Sequence, residues 1–231
     1  MRSYLFKCML NLRERLLDTN ASKSYAQEGE DLILRRIFGD QAEGFYVDVG
    51  AHHPTRFSNT YIFYRAGWSG INIEPNPAIQ SLFLSRRPRD VTLGFGVNDQ
   101  AAILRYYEFN DSALNTFDET LMDWRLKNTQ YKMTGYLDIP VERLDTLLSL
   151  ALPQGREIDF LSIDVEGLDL NVLKSNDWQR FRPKCVLIEA LQSSLEEAML
   201  SESCIFLQSQ GYEMFAKTFN SLFFRLRGFE P

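Results

Sequence analysis

The chain holds two histidines, His52 and His53, and they are adjacent. A three-histidine zinc site is therefore excluded within one chain, and any imidazole acid–base chemistry must act at one place. Carboxylates are the other candidates. Asp48 lies in the apolar run 45–49, Glu74 follows Ile71–Ile73, Asp164 follows Ile158–Ile163 with Glu166 two residues on, and Glu189 follows Cys185–Ile188. If those runs are strands of a parallel sheet, their carboxyl ends place all five acids on one rim. Two chemistries fit such a rim. His53 or His52, neutral near pH 7 at an ordinary imidazole pKa, can serve as general base for a hydroxyl. Alternatively, Asp164, Glu189 and Glu166 can bind a divalent cation such as Mg²⁺ or Mn²⁺, which takes a substrate oxygen as a further ligand and lowers its pKa.

The elements that must position these groups follow from periodicity and punctuation. Residues 31–38 read as a helix, and Gly44 introduces the strand 45–49, which stops at Gly50. A helix over 59–65 closed by Gly67 leads to a strand over 70–73, and Pro75 and Pro77 then favour a new helix start. A third strand spans 91–97, so the pattern is β-α-β-α-β and calls for a parallel sheet. Residues 99–157 interrupt it with strands at 103–109 and 136–141 around a polar helical middle, 118–127, and read as an insertion over the sheet's carboxyl edge. The alternation resumes with strands at 158–163 and 185–188 and a helix at 168–175. Ser193 and Glu196 form a candidate capping box for a helix ended by Gly211, and strands 212–216 and 222–226 make a terminal hairpin. Residues 1–23 stand apart from the domain 24–231; within them 1–20 has the spacing of an amphipathic helix.

Composition bounds the function. With 231 residues, 45% hydrophobic, 24% charged and a net charge of −6, the chain has the core of a folded α/β domain and lacks the basic footprint of a nucleic-acid binder. There is no run of roughly 18 apolar residues and no signal-peptide pattern, so the expectation is a cytoplasmic protein. Cys8, Cys185 and Cys204 are scattered, which supports neither a disulfide framework nor a cysteine zinc site.

Glu74 follows Gly50 by 24 residues, near the offset of roughly 20 at which a carboxylate accepts the hydroxyls of a nucleotide ribose. The loop V-D-V-G-A-H-H at 47–53 lacks the G-x-G-x-x-G glycines that admit a pyrophosphate, which disfavours a dinucleotide. A cofactor with adenosine but no phosphate fits better, and Asp48 can receive a cationic amine such as that of S-adenosylmethionine. The motifs V-D-V-G-A-H-H-P (47–54), S-N-T-Y (58–61), I-N-I-E-P-N-P (71–77), I-D-V-E-G (163–167) and S-Y-A-Q-E-G-E-D (24–31) together resemble the FkbM family of S-adenosylmethionine-dependent methyltransferases, over about residues 24–227. The resemblance implies a Rossmann-like class I methyltransferase fold, a seven-stranded, mostly parallel sheet with an antiparallel terminal hairpin. It also implies O-methylation of a sugar hydroxyl on a glycan, a nucleotide sugar or a glycosylated natural product, as in polysaccharide biosynthesis. Cofactor-binding candidates are then Tyr25, Gln27, Asp48, Gly50, Ala51, Asn59, Glu74, Pro75, Asn98 and Asp164. The insertion, with Tyr106, Tyr107, Phe109 and Trp124, would shape the site for a small-molecule or glycan acceptor. Ser162 stands where many members carry lysine, so no role of that lysine transfers. The rivals are a nucleotide-dependent oxidoreductase or epimerase, and an inactive module that keeps the fold.

Overall fold

The computed structural model describes residues 21–39, 41–191 and 194–230. The amphipathic segment expected at 1–20, with Cys8, and the capping candidate Ser193 lie outside the described residues. Helix α1 (Glu30–Phe38) precedes strand β1 (Phe45–Val49), α2 (Tyr61–Arg65), β2 (Ser69–Ile73), α3 (Pro77–Arg86) and β3 (Val91–Leu93). Asn76 caps α3 by accepting from the Ala78 N–H, with Pro77 at the first helical position. After an intervening lobe come α5 (Leu144–Ala151), β7 (Phe160–Ile163), α6 (Asp169–Lys174), β8 (Cys185–Glu189), α7 (Leu195–Leu200), α8 (Glu202–Ser209), β9 (Tyr212–Lys217) and β10 (Ser221–Leu226). These strands form one seven-stranded sheet in the order β3-β2-β1-β7-β8-β10-β9, with β10 antiparallel to both neighbours. That is the class I methyltransferase arrangement expected from the sequence.

Every residue of β1, β7 and β8 but the last of β8, Glu189, is buried, and the strand period of two divides them between two cores. Val47, Val49, Leu161, Ile163, Val186 and Ile188 face one side, with α5, α6 and α8. Tyr46, Phe160, Cys185 and Leu187 face the aromatic side, with Leu34, Phe38, Phe63 and Trp68. On that second face Asn72, Asp48 and Ser162 stand in register across β2, β1 and β7. The row extends to Arg87, which is fully buried, pairs with Asp90 at 2.8 Å and donates to Tyr46 Oη and Thr60 Oγ1. Thr60 Oγ1 in turn donates to Asp48 at 2.8 Å.

The lobe consists of β4 (Gly96–Val97), β5 (Ala102–Phe109), a 3₁₀ turn (Ser112–Leu114), α4 (Glu119–Asn128) and β6 (Met133–Glu142). Its sheet runs β4-β6-β5. Three expectations need correction. The strand read at 91–97 is two: β3 ends at Leu93, and β4 leaves the main sheet to pair with β6. The capping box belongs to Ser194 and Glu197, one residue later than the pattern suggested, and the helix it starts breaks at Ser201 into α7 and α8. Finally, α5 falls inside the span 99–157, yet Leu144, Leu147 and Leu148 belong to the main core.

Candidate active site

The strand order reverses between β1 and β7, where an open parallel sheet binds its ligands. A cleft of about 290 Å³ lies there, floored by the ends of β1, β2, β7 and β8 and roofed by the lobe. Asp48, Gly50, Ala51, His52, Asn59, Glu74, Pro75, Asp164, Glu166, Glu189 and Gln27 all line it.

On the β2 side, Glu74 is buried, its Oε2 accepting from the His52 N–H and its Oε1 from the Asn76 N–H, both at 2.8 Å. Burial pushes its pKa up to about 7. Phe95 and Val97 flank it with apolar surface. Asp48 is also buried, which raises its pKa, while Arg87, Thr60 and Ser162 oppose the rise. Asn59 donates to Ser162 Oγ at 3.1 Å, so the loop after β1 is tied to β7 beside the cleft. Thr60 occupies the N-cap position of α2 but makes no side-chain cap there, its hydroxyl donating to Asp48 instead.

On the β7–β8 side, Asp164, Glu166 and Glu189 bring one carboxylate oxygen each to within 4.8 Å of the others. Asp164 reaches solvent through the cleft but is otherwise ringed by protein and by Glu166, Asp169 and Asp48; poor hydration, then those charges, hold its pKa well above the ordinary range. Burial followed by Asp164 and Glu166 does the same for Glu189. Asp169, accepting from the Glu189 N–H at 3.3 Å, is pushed by burial up to about 7. Glu166 is raised by burial, with Arg125 opposing. Arg125 comes from the lobe: it forms an ion pair with Glu166 and donates to the Leu114 carbonyl at 2.6 Å, and Thr116 Oγ1 donates to the Glu166 carbonyl at 2.9 Å. Four carboxyls thus crowd one end of the cleft, with one guanidinium among them.

Three expected site residues are elsewhere. His53 does not line the cleft. Its Nδ1 accepts from the Thr55 and Arg56 N–H groups at 3.1 and 3.0 Å, so the nitrogen a base would use is engaged in shaping the loop. Asn98 points away, its side chain accepting from Asn171 at 2.9 Å, and Phe95 to Val97 take its place. Tyr25 packs edge-on against Tyr61 and accepts from Arg65 outside the cleft. His52 lines the cleft, but its Nε2 is buried with no hydrogen-bond partner among the described residues, and burial followed by Arg56 lowers its pKa to about 4. It is a neutral and weak base. Of the aromatics expected to meet the acceptor, Tyr106 lines the cleft, joined by Phe117 and Tyr131; Tyr107 and Phe109 are core, and Trp124 is exposed away from it. His53→Ala is accordingly expected to cost about 1 kcal/mol of stability, as the loss of a local side-chain cap does, with kcat and its pH profile little changed. A bell-shaped profile losing one limb in steady-state assays from pH 6 to 9 would return His53 to the chemistry.

Arg125, Phe57, Asp169 and the Arg87 hub were not legible as site residues. Only the Arg87–Asp90 spacing offered a signal, and it reads equally as a surface pair.

Among solved structures, the chain is similar to a TehB-like SAM-dependent methyltransferase from Corynebacterium glutamicum, at 10% identity and TM-score 0.43, covering 94% of this chain and 96% of that one. It is similar to precorrin-6y C5,15-methyltransferase from Geobacter metallireducens at 12% identity and TM-score 0.43, covering 90% and 93%. The small RNA methyltransferase HEN1 aligns at 10% identity and TM-score 0.40, covering 90% of this chain and 27% of that one. No curated protein matches the chain in sequence. The methyltransferase FkbM domain, in contrast, matches residues 48–214, from the carboxylate of β1 into the terminal hairpin, and the chain belongs to that family.

Proposed function

We propose that the chain is an S-adenosylmethionine-dependent O-methyltransferase acting on a sugar hydroxyl, of a glycan, nucleotide sugar or glycosylated natural product, as in polysaccharide biosynthesis. One observation carries this reading: Glu74 and the Asp164–Glu166–Glu189 cluster face the same cleft from opposite ends. Glu74 suits a ribose, because two backbone N–H groups orient it and each oxygen keeps a lone pair for a hydroxyl. Phe95 and Val97 suit an adenine face, while Asp48, Gln27 and Asn59 lie where a cationic amine would be held. Bound there, S-adenosylmethionine supplies a sulfonium-activated methyl group. The residues around it would then position the acceptor in line and remove its proton.

For that proton the carboxylates are better supported than the histidines. Asp164, Glu166 and Glu189 are hard oxygen donors of the kind Mg²⁺ or Mn²⁺ prefers, and a divalent ion would supply Lewis acidity to the acceptor oxygen. A metal-free version has its own support. Arg125 already neutralises Glu166, so Asp164 and Glu189 form a pair whose raised proton affinity suits general-base work. A sugar suits the rest of the lining: Tyr106, Phe117 and Tyr131 offer ring faces, with Ser112 and Asn115 polar between them. Six acids against one paired guanidinium among the described lining residues disfavour a nucleic-acid acceptor.

The test is calorimetric titration with S-adenosylhomocysteine, followed by labelled methyl transfer to a panel of nucleotide sugars and oligosaccharides with and without chelator. Binding and chelator-sensitive transfer are expected for the metal version, and chelator-insensitive transfer for the metal-free one. Absence of cofactor binding would overturn the methyltransferase reading, and binding without transfer would favour an inactive module.

A further inference from the structure

Among the described residues, three non-glycine positions have positive φ: His52 at 49°, Phe57 at 53° and Glu166 at 53°, and all three line the cleft. Left-handed backbone costs a bulky side chain free energy, and such strain collects at functional sites. Two of the three have a local return. His52 turns its N–H onto Glu74, and Glu166 turns its carbonyl to Thr116 and its carboxylate to Arg125. Phe57 has no polar side-chain group, its backbone N–H and carbonyl make no hydrogen bond among the described residues, and the residue is 45% exposed. A lone exposed phenylalanine needs no explanation, but one held exposed by strained backbone at the cleft does.

The surrounding loop fixes the ring. The His53 Nδ1 bonds hold the backbone before it, and Ser58 N–H donates to the Tyr25 carbonyl at 2.9 Å just after it. The Arg56 guanidinium lies 4.6 Å from the ring centroid and reaches towards Asp111 of the lobe at 3.9 Å. Phe57 also borders a narrower recess with Gln27, Glu30, Asn59, Asp164 and Glu189, in which Glu74 has no part. The ring therefore stands at the carboxylate end, where an acceptor hydroxyl would be deprotonated, and away from the ribose end.

We infer that Phe57 is a specificity-determining residue whose ring is the platform for the apolar C–H face of the acceptor sugar, turning one hydroxyl of that sugar towards Asp164 and Glu189. This rests on the sugar-methyltransferase reading above. Glycine adopts positive φ freely, so Phe57→Gly removes the ring while relieving the strain, and folding is not put at risk.

The probe is a set of methyl glycosides of hexoses, 6-deoxyhexoses and uronic acids, titrated by saturation-transfer NMR into the full chain saturated with S-adenosylhomocysteine. Phe57→Gly and Phe57→Ala are expected to weaken the bound glycosides by about tenfold or more, with Phe57→Trp within about threefold of wild type. S-adenosylhomocysteine affinity should fall by less than glycoside affinity in every variant, since Phe57 borders the recess of Gln27 and Asn59 without a polar group directed at the cofactor, and the melting temperature of Phe57→Gly should be equal or higher. Glycosides binding Phe57→Gly as well as wild type would overturn the platform and leave the sugar reading standing. Wild-type protein that binds S-adenosylhomocysteine but no glycoside would overturn both.

Discussion

Gly50→Ala is expected to lower the melting temperature by about 4–20 °C and to abolish cofactor binding. At φ +76°, an added Cβ would sit 1.8 Å from the Asp164 carbonyl oxygen and 2.8 Å from its carbon. Both are backbone atoms, and neither chain can retreat. Gly50 N–H donates to the Ile73 carbonyl at 3.0 Å, and Asp164 N–H donates to the Val49 carbonyl at 3.0 Å. The left-handed conformation costs an L-residue about 1–2 kcal/mol, and an overlap of this kind about 1–3 kcal/mol or more. For a chain of this length each kcal/mol is worth about 2–4 °C. Gly67→Ala is the control: its φ is +107°, but the added Cβ meets nothing within 4 Å. Only the conformational cost should appear there. Calorimetric melting of the two variants side by side decides the matter, and equal losses would show that the close approach of β1 to β7 is not what requires glycine. In the sequence Gly50 reads as the end of the strand 45–49 and as a cofactor-binding candidate. What approaches it in the fold is the carbonyl of Asp164, and displacing that carbonyl displaces the Asp164 carboxylate at the β7–β8 end of the cleft.

The same distinction runs through the rest of the molecule. Short apolar runs flanked by Gly and Pro announced β1, β2, β7 and β8, and a parallel sheet forces their carboxyl ends onto one rim. Asp48, Glu74, Asp164 and Glu189 could therefore be placed from one-dimensional pattern. Groups that enter the site by tertiary contact could not. Arg125 meets Glu166 from 41 residues away, across a lobe whose strands carry no strict alternation because both faces of β5 are partly exposed. β3 and β4 read as one strand because Gly94-Phe95 looks apolar and continuous, yet the chain changes sheets there. The histidine pair looked catalytic because of where it lies. The contacts it makes, a backbone N–H on Glu74 and a ring nitrogen accepting from its own loop, are local hydrogen bonds that residue type does not announce.

The second large effect concerns the carboxylates, where function and stability should move in opposite directions. Asp164→Asn and Glu189→Gln are each expected to reduce methyl transfer by about 10²–10³-fold, the range for removing a positioned base or a charge-stabilising group, while raising the melting temperature at pH 8. In the folded protein both groups hold protons more tightly than ordinary carboxylates, because they are poorly hydrated and repel one another. Glu74 and Asp169 are raised to about 7 by burial. In the unfolded chain all four titrate near about 4. Between about pH 4 and 7 the folded state therefore binds more protons than the unfolded one, and stability falls as pH rises through that window. For Glu74 and Asp169 the decline ends near pH 7, whereas Glu189, pushed up to about 11, carries it further. The wild-type protein should accordingly melt at higher temperature at pH 5.5 than at pH 8, and each of the two variants should flatten that difference. Under the metal version, millimolar Mg²⁺ or Mn²⁺ at pH 8 restores the lost stability by binding the folded state, about 2.7 kcal/mol at a hundredfold excess over Kd, and does so in wild type but in neither variant. Scanning calorimetry across pH 5.5–8.5, with and without each cation, separates these cases. A melting temperature independent of pH, together with transfer that survives Asp164→Asn, would remove the carboxylates from the chemistry; a pH slope that no cation relieves would leave them as a metal-free base pair.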